Sequence, residues 1–213
     1  MIGEGTLLRL EALLEGRVLP RFLQLCQEVG QELRSGRVDF PGAFRLIRSP
    51  IHGMTHWVRV GCLGLGIAEA AWGGDDRKDD EESLLLAAFF HDAARVNEHL
   101  DSGHGRRGAA LLEACAEPLA WPSRIAGPAA DAIRRHQGQG GEIRHGAGRV
   151  AAALANADRL DRVRFGDVPV DRLMHLDGAW QDLLEPACRL VDRVDEARVR
   201  RAGLLAALAP ARE

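Results

Sequence analysis

The sequence predicts an all-α protein, and three observations carry that expectation. Apolar residues recur at three- and four-residue spacing in segment after segment, no stretch sustains a period-two alternation, and the chain contains no tyrosine. The expected helices cover residues 6–18, 20–34, about 42–48, 54–72, 81–94, 104–117, 127–137, 147–163 and 170–208, the last broken near Pro186. Turn chemistry separates them: Pro20, the stretch SGRVDFPG, Ser-Pro at 49–50, GGDDRKDDEE at 73–82, the glycines from Gly138 to Gly141, and GDVP at 166–169. The acids of 73–82 are expected to be solvated and to favour the start of the helix that follows.

Each middle helix has a recognisable inner face. In 54–72 it runs His56, Val60, Leu63, Ile67, which points His56 inward from the first turn. The helix over 81–94 is apolar on nearly all sides through residues 84–90 and then meets His91 and Asp92, a carboxylate at a C-terminus where the helix dipole disfavours negative charge. Alternatively the helix stops at Phe90, Asp92 caps the next turn and His91 is a hydrogen-bonded core histidine. His104 opens the next helix, whose face continues through Gly108 and Leu111. Ala129, Ala132, Ile133 and His136 form the face of 127–137, and Ala151, Leu154, Ala155 and Asp158 that of 147–163. The terminal stretch DEARVRRAGLLAALAP is amphipathic and is expected to pack on its own core, although a partner copy would also suit it.

With 213 residues and 46% hydrophobic content the chain can bury a proper core, as one domain or as a domain with helical extensions. A net charge of −3, with 28 basic and 31 acidic residues dispersed along the chain, leaves no footprint for a nucleic-acid polymer. No apolar stretch approaches the roughly 18 residues of a bilayer span, and the opening MIGEGTLLRLEALLEG carries acids where a signal peptide carries bases. A soluble, cytoplasmic protein without a membrane partner is therefore expected. Cys26, Cys62, Cys115 and Cys188 are far apart in apolar helical patterns, and all read as reduced core residues.

The inward residues His56, His91, Asp92, His104, His136 and Asp158 raise a cost. Buried carboxylates without cations to share cost several kcal/mol each, and a metal site with nitrogen and oxygen ligands removes that cost. Arg59, three residues beyond His56, is placed either to reach an anion bound there or to pair with a surface acid. His52, in the loop after Ser-Pro, either lines the site or is solvated. Asp161, three residues beyond Asp158, either supports the site from behind or pairs with a neighbouring arginine.

The order His56, His91-Asp92, Asp158 resembles the H…HD…D signature of the HD superfamily of metal-dependent phosphohydrolases. HGMTHWVRV, beginning at His52, is similar to a group of bacterial HD proteins with an HGxxHWxRV pattern, in which the second histidine is the family's first ligand. HGRRGA at His104 and IRRH ending at His136 resemble the two extra histidines of binuclear members. The longer motif of the cyclic dinucleotide branch is missing, since the chain reads RRHQGQGG there.

The resemblance implies a single helical bundle of the HD-domain type, with a metal-binding core at 50–165, an N-terminal helical extension at 1–49 and C-terminal helices at 166–213. It implies that His56, His91, Asp92 and Asp158 hold one metal, and that Asp92 bridges to a second held by His104 and His136. A metal-activated hydroxide would then hydrolyse a phosphate ester or anhydride of a nucleotide or other small phosphorylated metabolite, with Asp92 in the catalytic centre. Arg59, Arg95 and Arg107, with His52, are the candidates for binding the substrate. One or two divalent transition ions are implied, iron or manganese first, with cobalt, nickel, zinc or magnesium as alternatives. The same ligand set would serve a di-iron oxygenase of the HD type, or a sensor that keeps its metals for structure alone.

Overall fold

The computed structural model describes residues 2–72, 77–136, 148–169, 171, 173 and 181–208. Among them no strand occurs, and the fold is all-α. The chain opens with α1 (Ile2–Leu13), passes through a π-helical turn (Leu14–Val18) and continues as α2 (Leu19–Ser35). These three form one rod, because Leu13, Val18 and Leu19 all keep helical dihedrals. The expected break at Pro20 therefore does not occur. Proline lacks an N–H and crowds the carbonyl four residues back. The wider turn just before it, in which Leu19 N–H reaches Leu14 O, absorbs that crowding. Gly36, at φ 74°, ends the rod in the left-handed conformation.

Residues 41–48 form successive turns rather than the expected helix at 42–48. Phe44 explains the difference. Its backbone sits at φ +60°, its N–H donates to Ala93 O at 2.7 Å, and its ring packs on Trp57, Phe89 and Phe90. A tertiary anchor to the segment after Asp92 thus overrides local helical preference.

The bundle proper consists of α3 (Met54–Ala71), α4 (Arg77–Phe90), α5 (His104–Ala116), α6 (Ser123–Arg135) and α7 (Arg149–Leu160), with a 3-10 turn (Asp161–Phe165) extending α7. Helix α3 packs against α4 and α7, and α6 bridges α4, α5 and α7. Both α3 and α4 are buried almost all round, with Trp57, Phe89 and Phe90 fully enclosed. Each such ring contributes about 1.5–3 kcal/mol by leaving water. Asp79 and Asp80 sit in the first turn of α4, as the acidic stretch leads one to expect, whereas Glu81 is buried and paired with Arg17 and Arg77.

Three C-terminal helices close the molecule: α8 (Gln181–Arg193) lies against α1, α9 (Glu196–Arg201) follows, and α10 (Leu204–Leu208) lies against α2. The amphipathic tail thus covers its own chain. The expected break at Pro186 is absent, because α8 runs through it. The helix stops instead where Asp195 caps α9 by accepting from Arg198 N–H. Cys26, Cys62 and Cys115 are buried, but Cys188 is exposed on the outer face of α8, which corrects its placement in the core. No described helix is long and apolar enough to cross a membrane.

Candidate metal centre

Helix α4 stops at Phe90, four residues short of the expected end, and the chain turns through residues 91–94. His91 N–H still bonds Ala87 O at 2.9 Å, so the imidazole leaves the helix in a fixed direction. Helix α5 crosses this turn closely. A Cβ on Gly108 would lie 2.5 Å from Phe90 O and 3.1 Å from His91 O, so glycine alone permits the approach that brings His104 to Asp92. Asp92 is thus not a cap for the following turn. Its Oδ2 lies 2.9 Å from His52 Nδ1, 3.7 Å from His56 Nε2 and 3.8 Å from His91 Nε2, and its Oδ1 lies 3.0 Å from His104 Nε2.

The six inward residues that the sequence singled out meet in one place. His56 Nε2 is 3.1 Å from His91 Nε2 and 3.3 Å from Asp158 Oδ1, while His104 Nε2 is 3.0 Å from His136 Nε2. Three overlapping groups could each hold a metal ion: His56, His91 and Asp158; Asp92, His104 and His136; and His52, His56 and Asp92.

The hydrogen bonds on the other ring nitrogens fix what these contacts mean. His91 Nδ1 faces Ala88 O at 2.8 Å, His104 Nδ1 faces Asp101 O at 2.6 Å, and His136 Nδ1 faces Ile133 O at 2.6 Å. His56 Nδ1 faces Asp161 Oδ2 at 2.7 Å. A carbonyl oxygen can only accept, so Nδ1 of His91 and of His136 carries the proton and their Nε2 atoms present lone pairs, whereas Nδ1 of His56 and of His104 also faces a guanidinium nitrogen, of Arg164 at 3.2 Å and of Arg95 at 2.9 Å. Burial drives His56, His91 and His136 below the ordinary imidazole range, His91 to about 3, so these rings stay neutral at physiological pH. The pairs at 3.0–3.1 Å bring imidazole Nε2 atoms together, with carboxylate oxygens alongside. Such a convergence of nitrogen and oxygen ligand atoms suits a cation between them, so the residues fit a divalent ion.

Burial alone would raise both carboxylates, but the surrounding imidazoles outweigh it. Hydrogen bonds from His104 and His52 hold Asp92 well below the usual range, and one from His56 does the same for Asp158. The centre thus stands deprotonated and ready for a cation.

The arginines sort differently from expectation. Arg59 does not reach the anion side. Its Nε and Nη2 clamp Asp161 at 2.6 and 3.2 Å, and Nη1 donates to Val194 O at 3.2 Å. It lines a separate cavity on the far side of α3, because its step around the helix turns it away from His56 Nε2. Arg107 is likewise engaged elsewhere, on Asp101 Oδ2 at 2.5 Å and Ala94 O at 3.0 Å. Arg95 does stand at the centre, with Nη1 3.4 Å from Asp92 Oδ1 and 3.2 Å from His104 Nε2.

A cavity of about 810 Å³ opens over the metal groups and is lined by His52, Asp92, His104, His136 and Asp158 together with Arg95, Arg159, Arg162 and Arg164. The last three arginines were missed from the sequence. They follow Asp158 in NADRLDRVRF, where α7 tightens into a 3-10 turn and the helical face no longer predicts direction. Asp161 meets both of its sequence alternatives: it is buried, accepts from His56 and is paired with Arg59 and with Arg164. Burial pulls Arg59 and Arg164 down to about 10, yet both stay charged and pair with Asp161 behind His56.

Comparison with protein families identifies this assembly. The chain matches the HD domain model over residues 53–197, more than half its length, and belongs to the HD domain family, whose members are generally metal-dependent phosphohydrolases. The match runs past residue 165, the expected end of the core, through α8 and into the start of α9. No curated protein and no solved structure matched the chain.

Proposed function

We propose that the protein is a metal-dependent phosphohydrolase that cleaves a phosphate ester or anhydride of a nucleotide or other small phosphorylated metabolite. The observation that carries this reading is the convergence of four imidazole Nε2 atoms and two carboxylates at a cavity lined by arginines. His56, His91, Asp92 and Asp158 would hold one divalent ion, and Asp92, His104 and His136 a second, with iron or manganese the best match to mixed imidazole and carboxylate donors. Ions so held supply a nucleophile at neutral pH by lowering the pKa of water, and they polarise phosphoryl oxygens.

The chain's own residues do the rest. Asp92 presents one oxygen toward His52, His56 and His91 and the other toward His104, so it fixes the two halves of the centre relative to each other. Arg95, held by His99 O at 2.8 Å, aims its other nitrogen at the centre, where it offsets negative charge growing on a phosphoryl group. Arg159, Arg162 and Arg164 line the wall on the Asp158 side, Arg162 paired with Asp167 and Arg164 with Asp161.

Phosphate release from a panel of nucleotides and sugar phosphates, by protein loaded with manganese or iron, tests the reading. Turnover that disappears in Asp92→Ala supports it. A metal-loaded protein that releases no phosphate from any panel member, or an Asp92→Ala variant as active as the wild type, refutes it.

A further inference from the structure

Few large apolar side chains are exposed among the described residues: Leu8, Val96, Leu100 and Phe165. Leu100 and Phe165 both stand on the wall of the cavity above the metal groups, 92% and 49% exposed. Single exposed apolar residues are ordinary, but two on the rim of one polar cavity are informative. Phe165 closes the 3-10 turn after α7, next to Gly166 in the left-handed conformation, so its position is set by the same turn that directs Arg162 and Arg164. The Arg164 guanidinium lies 4.3 Å from its ring centroid and that of Arg162 5.9 Å. Arg164 is tied in turn to Asp161 O and Ile51 O, which fixes the cation against the ring. Apart from its histidines, Phe165 is the aromatic side chain among the described residues that line this cavity.

We infer that Phe165 determines specificity by stacking on a planar ring of the substrate, so that the phosphorylated compound cleaved at this centre carries an aromatic or heteroaromatic group. The inference rests on the phosphohydrolase reading for the position of the phosphate. The cavity lining combines Arg95, Arg159 and Arg164 with an Arg162–Asp167 pair and the acids Glu98 and Asp171, and Phe165 adds an apolar, cation-backed ring to it. A cavity of about 810 Å³ has room for a phosphate, a sugar and a base together. Stacking of a base on an aromatic side chain is worth about 1–3 kcal/mol, which corresponds to roughly 5- to 150-fold in affinity.

The test compares two phosphate esters that differ only in the ring, adenosine 5′-monophosphate and ribose 5-phosphate, binding to manganese-loaded protein measured by calorimetry. The nucleotide should bind at least about tenfold tighter, and Phe165→Ala should remove most of that difference while Phe165→Trp retains it. Equal binding of the two esters, a preference unchanged in Phe165→Ala, or binding of neither would overturn the inference. Ring-dependent binding by a protein that releases phosphate from no member of the wider panel would uphold the stacking role and refute the hydrolase reading, so the two can fail separately.

Discussion

Asp161 contacts no substrate in this account, yet replacing it should disable the centre. Its carboxylate accepts from His56 Nδ1 at 2.7 Å, from Arg59 Nε at 2.6 Å and Nη2 at 3.2 Å, and from Arg164. In Asp161→Asn the shape is retained, but the charge that balances two buried guanidinium groups is lost, and an amide N–H must face one of the donors. Removing one partner of a buried ion pair costs about 3–5 kcal/mol, a large share of a typical folding free energy of about 5–15 kcal/mol. The effect on function follows from His56. Without a carboxylate on Nδ1 the ring can turn or take the other tautomer, and loss of such a supporting partner typically lowers metal affinity about 10- to 100-fold. Manganese affinity measured by competition with a chromophoric chelator, with folding followed by circular dichroism, gives both quantities. Saturating manganese should restore much of the turnover, because Asp161 positions a ligand and does not itself touch the reacting atoms. A folded Asp161→Asn protein with wild-type manganese affinity would refute the argument that Asp161 orients His56.

Other expectations follow from the same geometry. Gly108→Ala places a methyl group 2.5 Å from Phe90 O, so α5 must retreat from the His91–Asp92 turn. A loss of about 1–3 kcal/mol in urea unfolding, with weakened metal binding, is expected, and wild-type values would contradict the close approach. Acid should destabilise the metal-stripped protein. His56, His91 and His136 have depressed pKa values in the folded state, so their stabilising contribution is complete above the unfolded value of about 6.5 and is lost as pH falls toward 3. Asp92 and Asp158, also depressed, add a further loss below about 3.9. Urea midpoints should therefore drop between pH 7 and pH 4, with His91 alone contributing on the order of 3 kcal/mol, and a flat profile would show that the imidazoles are not held neutral. Arg95→Met should raise KM for a cleaved phosphate ester about tenfold or more, whereas Arg107→Met, whose guanidinium is tied to Asp101 away from the cavity, should leave KM near the wild-type value.

The sequence made the centre's donors legible because they stand on helical faces. The period that buries Val60, Leu63 and Ile67 also turns His56 inward, and the same logic places His104, His136 and Asp158. What lay outside that logic was lost. The turn at 91–94 is set by the crossing of α5 at Gly108 and by Phe44 N–H reaching Ala93 O, both long-range contacts. Arg159, Arg162 and Arg164 fall where the helix tightens, so their direction cannot be counted from Asp158. Arg59 shares a helix with His56, but its partner Asp161 comes from a distant segment, and only packing shows that the two join behind the centre. Pro20 and Pro186 carry the converse lesson. Local rules predict breaks at both, and a π-helical turn at the first shows how a packed rod can carry proline without breaking.

The central claim is that imidazole nitrogens and carboxylates converge here because cations belong between them. Elemental analysis of purified protein, loaded anaerobically with iron or manganese and freed of loose metal, tests this most directly. The account predicts two ions per chain, one in a His104→Ala, His136→Ala double variant, and none in a His91→Ala, Asp92→Ala double variant. A folded wild-type chain that retains no transition metal would contradict it.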